Sequence, residues 1–178
     1  MTAALLTSDI PTDPTGWHLS EKLDGARSLF SGTRYLSRNG HVFRPPAEWY
    51  AGMPDCRLDG ELFMGRGTFP ALVSTIQKRG GDWHGVFFCI FDLAESGTFE
   101  ERLERLSKLA LPSHCRLVAH RLCAGRHDID RAERQIVSAG GEGCVLRRPG
   151  SLYRPGRMGD VVKIKRLTPD DGNRSALD

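Results

Sequence analysis

The chain has 178 residues, 39% hydrophobic and 26% charged, with 20 Gly, 10 Pro and a formal charge of +3 at pH 7. That length suits one domain, at about 100–200 residues per domain, with a core that needs no disulfide or metal to hold it. The mixture is too apolar for a disordered chain and too mixed for a membrane or fibrous one, while the weak net charge neither demands nor excludes an anionic partner.

Residues 1–16 read as an irregular lead-in, punctuated by Pro11, Pro14 and Gly16. Strands are expected over Trp17–Asp24, Arg27–Ser31 and Arg34–Arg38, the last two joined by a tight turn at Ser31-Gly32-Thr33. Asn39-Gly40 signals a further turn into His41–Phe43, Pro45–Met53 holds one or two helical turns, and Arg57–Met64 is a strand around an acidic Asp-Gly-Glu. Phe69, Leu72, Val73 and Ile76 recur at helical spacing over Thr68–Lys78, with Thr68 as candidate cap. Val86–Leu93 is an unbroken apolar run, read as a strand buried on both faces. Thr98–Leu109 pairs Thr98 with Glu101 in a capping box and sets Leu103, Leu106 and Leu109 on one side. Cys115–Leu122 reads as a strand, Ile129–Ala139 as a helix, and Gly143–Arg147 and Val161–Arg166 as closing strands. Strands outnumber helices and come in hairpins, which favours an α+β fold over a doubly wound parallel sheet.

The five cysteines, Cys56, Cys89, Cys115, Cys123 and Cys144, are odd in number and include no CxxC pair, so neither a disulfide framework nor a zinc site is suggested. They read as reduced thiols of a cytoplasmic protein. Met1–Pro14 lacks a basic residue before its short apolar run and so does not read as a secretory signal, and no stretch reaches the ~20 apolar residues of a membrane span. The six histidines show no metal-ligand spacing and are expected on the surface or in loops.

Several short segments carry candidate chemistry. In Lys22-Leu23-Asp24-Gly25-Ala26-Arg27 a lysine ends a predicted strand, with Asp24-Gly25 as the turn that presents it. A lysine at its ordinary pKa of ~10.4 is a poor nucleophile and needs desolvation or neighbouring cations to expose its free amine. Asp59-Gly60-Glu61 is an acidic pair suited to a hard cation or a ribose hydroxyl. Phe91-Asp92 ends the buried strand with a ring able to stack on a base or to fill the core. In Val161–Arg166, Lys163 and Lys165 share one strand face while Val162 and Ile164 take the other. With Arg147, Arg148, Arg154 and Arg157, these lysines form a basic stretch holding one acid, Asp160, which the net charge conceals.

Taken in order, Lys22-x-Asp24-Gly25-x-Arg27, Ser37-Arg38-Asn39-Gly40, Asp59-Gly60-Glu61-Leu62, Phe91-Asp92, Glu142-Gly143 and Lys163-x-Lys165 resemble the ordered motifs of covalent nucleotidyltransferases. They look most like the ATP-dependent DNA ligases of the minimal bacterial and viral type, over about Trp17–Arg166. The resemblance implies a nucleotidyltransferase fold, antiparallel sheets flanked by helices, over 17–167. It implies that Lys22 takes AMP from ATP as a lysyl-AMP phosphoramidate and passes it to the 5′-phosphate of nicked double-stranded DNA, in repair, replication or recombination. Arg27 and Glu61 would hold the ribose and Phe91 would stack on adenine. Glu142, with Glu61 as a second candidate, would bind Mg²⁺ or Mn²⁺. Lys163 and Lys165 would contact the α-phosphate and favour the free amine of Lys22, and Arg38 and Arg157 would address the nick 5′-phosphate. NAD⁺ is disfavoured as donor, because the family that uses it carries an extra N-terminal domain.

An RNA ligase and an mRNA capping guanylyltransferase share the Lys-x-Asp-Gly nucleophile and are the nearest rivals. A non-catalytic nucleotide- or DNA-binding remnant is the rival of another class. Ligases of this family continue into an OB domain, whereas here a polar tail, 168–178, follows the last motif. The sequence expectation is therefore a monomer lacking that domain, slow in self-adenylation and weak in nick sealing unless a separate OB-fold or recruiting protein assists.

Overall fold

The computed structural model describes residues 10–78, 80–154 and 159–165. In chain order these form β1 (His18–Lys22), β2 (Ala26–Phe30), β3 (Tyr35–Ser37), β4 (Val42–Phe43), a 3-10 turn (Ala47–Tyr50), β5 (Leu58–Phe63), α1 (Phe69–Gln77), β6 (Phe87–Leu93), α2 (Phe99–Ser107), β7 (Cys115–Leu117), β8 (Arg121–Leu122), α3 (Arg126–Ser138), β9 (Gly143–Arg147) and β10 (Val161–Lys165). They divide into two compact units, one containing β1, 120–148 and β10, the other 23–119 and the segment after β9. Among the described residues no helix is long and apolar enough to cross a membrane.

The first unit is a four-stranded antiparallel sheet, order β10-β9-β1-β8, with α3 packed against β9. Alternation decides its faces. Leu19, Cys144, Leu146, Val162 and Ile164 point to a core shared with Ile129 and Ala132, so the residues between them point the other way. α3 begins at Arg126, three residues before the expected start. Inside its first turn the Asp128 carboxylate accepts the N–H of Ala124 at 3.0 Å, binding the approach to the helix without a Ser or Thr cap.

The second unit is a six-stranded sheet, order β4-β3-β2-β5-β6-β7. The expected turns are present: the Ser31 N–H donates to the Arg34 carbonyl at 2.9 Å, and the Gly40 N–H to the Ser37 carbonyl at 2.9 Å. β6–β7 is a parallel pair in this otherwise antiparallel sheet. The core holds Phe30, Tyr35, Leu58, Leu62, Phe88 and Ile90, with Leu106 of α2 and Leu72 of α1. α2 carries its capping box, with the Thr98 N–H on Glu101 at 2.8 Å and the Glu101 N–H on Thr98 at 3.4 Å.

Four expectations need correction. Thr68 does not cap α1; its hydroxyl donates instead to the Gly65 carbonyl at 2.7 Å. The single strand expected over Cys115–Leu122 is two, because the Val118 N–H makes a last bond to Ile90 while Arg121 pairs with Leu19 of the other sheet. Asp24-Gly25 is not the tight turn expected: the link from β1 to β2 carries only a bend, at Gly25, and the two strands lie in different sheets. Nor are all the histidines on the surface or in loops: His18 is buried in β1, whereas His114, in the turn before β7, is half-buried and stacks on Trp49 with ring centroids 4.3 Å apart, where burial lowers its pKa.

Candidate active site

In the four-stranded unit, Lys22 and Lys165 end up opposite one residue. Gly143 on the central strand β9 pairs with Lys22 of β1 on one side and with Lys165 of β10 on the other. Residues directly opposite in antiparallel strands share a face, so both lysines project from the face away from α3, with Lys163 one row along beside Val145 and Ser20. Glu142, immediately before β9, supplies the counter-charge. Lys22 Nζ donates to its Oε2, and Lys165 Nζ lies 3.9 Å from its Oε1. All three side chains are partly exposed, at 19%, 27% and 23% for Lys22, Lys165 and Glu142. They are thus reachable by an anion.

The glycine is a physical requirement of this row. A Cβ on Gly143 would stand 2.1 Å from the Ile164 carbonyl oxygen, so any side chain would push β10 off β9. Gly25 is constrained in the same way in the other unit, where a Cβ would lie 2.2 Å from the Leu62 carbonyl oxygen. That close approach lets β2 begin directly against β5.

In the six-stranded unit, Arg27 of β2 pairs in register with Glu61 of β5. Asp59, two residues earlier on β5, shares their face and takes the guanidinium in a fork: Arg27 Nε donates to Oδ1 at 3.1 Å and Nη2 to Oδ2 at 2.6 Å. Burial works against the charge on Arg27, but the hydrogen bond and charge of Asp59 outweigh it and raise its pKa. The register slips between Asp59 and Gly60, leaving Phe91 as an extra residue on β6. Its half-buried ring lies 5.8 Å from the Arg27 guanidinium.

The structure therefore gathers Lys22, Lys163, Lys165 and Glu142 on the four-stranded unit, and Arg27, Glu61 and Phe91 on the six-stranded one. Arg38 is exposed in the β3–β4 turn, and Arg157 lies outside the described residues. The basic stretch is less free than its composition suggests, since Arg148 pairs with Asp160 at 3.3 Å and lies 5.6 Å from the Trp17 ring centroid. Asp59 departs from its expected use as a ligand in an acidic pair: it is 1% exposed and engaged by Arg27.

Two contributors were not among the candidates. Tyr153 donates to Asp59 Oδ2 at 2.8 Å, and Arg102 of α2 forks onto Asp92 at 2.7 and 3.1 Å with both side chains fully buried. The lone tyrosine between Gly150 and Gly159 in an otherwise arginine-rich stretch is the only sequence signal for the first. For Arg102, its place on the apolar side of a capped helix was readable.

No protein-family profile matches the chain. It is 31% identical over 156 residues to a DNA ligase of Haemophilus influenzae, covering 84% of this chain and 58% of that protein. A solved Lig E DNA ligase superposes with a TM-score of 0.83 and 27% identity, over 93% of this chain and 70% of that one. A Chlorella virus DNA ligase–adenylate superposes with a TM-score of 0.72 and 21% identity over 92% and 66%, a likeness of fold. Fold and motif-bearing strands together define a nucleotidyltransferase domain of the α+β class. Within that class the chain is most like DNA ligases, over the part of their length that this domain occupies. It spans just over half the length, 58%, of the Haemophilus influenzae ligase it matches.

Proposed function

We propose that the chain is the catalytic domain of an ATP-dependent DNA ligase, with Lys22 as its nucleophile. The observation that carries this reading is the row of Lys22, Gly143 and Lys165 with Glu142 against both amines. In the first step the Lys22 Nζ lone pair attacks the α-phosphorus of ATP. A P–N bond forms, the bond from that phosphorus to the bridging oxygen breaks, the amine loses a proton, and pyrophosphate departs. An oxygen of a DNA 5′-phosphate then takes AMP from Lys22, breaking the P–N bond, and the neighbouring 3′-hydroxyl attacks the activated 5′-phosphorus and releases AMP. Splitting one difficult transfer in this way is nucleophilic catalysis.

Lys163 and Lys165, on the face that presents Lys22, would bind the α-phosphate oxygens and stabilise the charge that grows there. On the six-stranded unit, Arg27 and Glu61 would hold the ribose and Phe91 the adenine. Arg27 suits that task because the Asp59 fork on Nε and Nη2 fixes the plane of its guanidinium. Arg38 and Arg157 would address the 5′-phosphate of nicked DNA.

Among the described residues no three His, Cys, Asp or Glu side chains cluster as a metal cage. Carboxylates outside such a cage nevertheless fit Mg²⁺ or Mn²⁺, since Mg²⁺ is ordinarily held by one or two carboxylates together with water and substrate phosphates. Glu142 is the first candidate ligand and Glu61 the second, and the ion would neutralise phosphate charge.

Intact-mass measurement after incubation with ATP and Mg²⁺ tests the nucleophile. The expected result is a gain of one AMP that Lys22→Ala abolishes; no gain, or an equal gain in the variant, overturns the assignment. Labelling by GTP alone would remove ATP as the donor. Supplying preadenylated nicked DNA without ATP tests the joining step separately.

A further inference from the structure

We propose that Tyr153 is a positioning residue for Arg27, acting through Asp59, so that the hydroxyl of Tyr153 sets how tightly the domain holds its nucleotide. This rests on the proposed role of Arg27 at the ribose. Asp59 is 1% exposed, and an ionised carboxylate at such depth has to be met by donors. It has three. Arg27 Nε lies on Oδ1, while Arg27 Nη2 and the Tyr153 hydroxyl converge on Oδ2 at 2.6 and 2.8 Å. A carboxylate only accepts, so the tyrosine proton must point at it and the hydroxyl acts as a fixed donor beside the guanidinium.

The segment that carries Tyr153 has no regular secondary structure, yet it is tied down at successive residues. The Gly150 N–H donates to both Glu100 oxygens at 3.0 Å. The Ser151 carbonyl accepts Arg102 Nη1 at 3.0 Å, and Arg102 is itself clamped by buried Asp92. Three contacts, at 150, 151 and 153, thus fix the backbone from which the hydroxyl is aimed. Without that hydroxyl, Arg27 Nη2 is the donor left to Asp59 Oδ2 among the described residues, and the fork gains room to turn about the carboxylate. The Arg27 edge that faces a ligand then loses its aim, while nothing at Lys22 changes.

The experiment measures the rate of AMP labelling against ATP concentration for the wild-type chain, Tyr153→Phe, Arg27→Ala and the double variant, with thermal melting of each. Tyr153→Phe is expected to raise the ATP concentration for half-maximal rate by about three- to tenfold, the net scale of one ordinary intramolecular hydrogen bond, and to leave the saturating rate within about twofold. In the Arg27→Ala background the same change should have no further effect, because residues acting as a unit are not additive. Asp59→Asn is the second variant and should raise the half-maximal concentration at least as far, again only when Arg27 is present. An unshifted half-maximal concentration in Tyr153→Phe, or an equal shift without Arg27, overturns the proposal. So does a fall in saturating rate and melting temperature alone, the mark of a structural role. A wild-type chain that takes up no AMP overturns the reading of the site and this inference with it, a result distinct from labelling that is indifferent to Tyr153.

Discussion

Lys22 and Lys165 stand opposite the same glycine, Gly143, on the two strands flanking β9, and each approaches a different oxygen of the Glu142 carboxylate. Two amines on one sheet face repel, and a single partly exposed carboxylate between them offsets that repulsion at modest energy. Ion pairs in such a setting contribute about 0–1 kcal/mol to folding. The arrangement therefore does little for stability, and its effect should appear in the reaction. Lys165→Ala is expected to change the unfolding free energy by less than about 1 kcal/mol while slowing AMP labelling by about 10²–10³-fold, the scale of losing one preorganised charge at a phosphate. Parallel denaturation and labelling curves check this.

Gly143→Ala should do the reverse and act first on the fold. The added Cβ would stand 2.1 Å from the Ile164 carbonyl oxygen, a backbone atom that cannot rotate away. Forcing β10 from β9 is an overpacking defect of about 1–3 kcal/mol, and it displaces Lys163 and Lys165 together. The expected outcome is a lowered urea midpoint and lost labelling at temperatures where the variant is still folded.

The buried pair of Arg102 and Asp92 predicts a larger cost. Arg102 Nη1 also donates to the Gly97 and Ser151 carbonyls at 2.6 and 3.0 Å, so one fully buried side chain satisfies three acceptor groups. Arg102→Met would take both forked donors from the buried Asp92 and should cost about 3–5 kcal/mol. Adding Asp92→Leu should recover part of that loss, since the buried charge goes but the two carbonyls still lack the Arg102 donor. Chemical denaturation of the two variants measures both amounts.

What the sequence revealed follows from the range of each interaction. β10 was legible because Lys163 and Lys165 alternate with Val162 and Ile164, and α2 because its capping box spans Thr98 to Glu101. The break within Cys115–Leu122 was not, since neither glycine nor proline marks where the backbone leaves Ile90 for Leu19. Lys22, Glu142 and Lys165 were legible as motifs, yet their common row depends on register across three strands. Tyr153 and Asp59 are 94 residues apart, and no local pattern reports a contact at that range. Asp128 shows the same limit on a smaller scale. Its partners Arg121, Ala124 and Arg131 are near in sequence, but only the folded turn reveals that they converge and start α3 early.

That convergence sets a pH dependence. Asp128 is 5% exposed and accepts Arg121 Nη1 and Nη2 at 2.5 and 3.0 Å, Arg131 Nη2 at 2.7 Å and the Ala124 N–H at 3.0 Å. The Arg121 hydrogen bond foremost, then the Ala124 N–H, hold its carboxyl well below the ordinary value of 3.8 despite burial, which opposes them. A carboxyl depressed in the folded state stabilises fully above its unfolded pKa, and that stabilisation is lost as pH falls below 3.8 towards the folded value. Asp128→Asn should therefore be less stable than the wild type by about 1.5–3 kcal/mol at pH 7, the worth of hydrogen bonds to a charged group. The gap between the two urea midpoints should stay constant down to about pH 5 and then narrow steadily in more acid solution. A gap that holds its width to about pH 2 would show that Asp128 contributes through shape and neutral hydrogen bonding, with no part played by its charge.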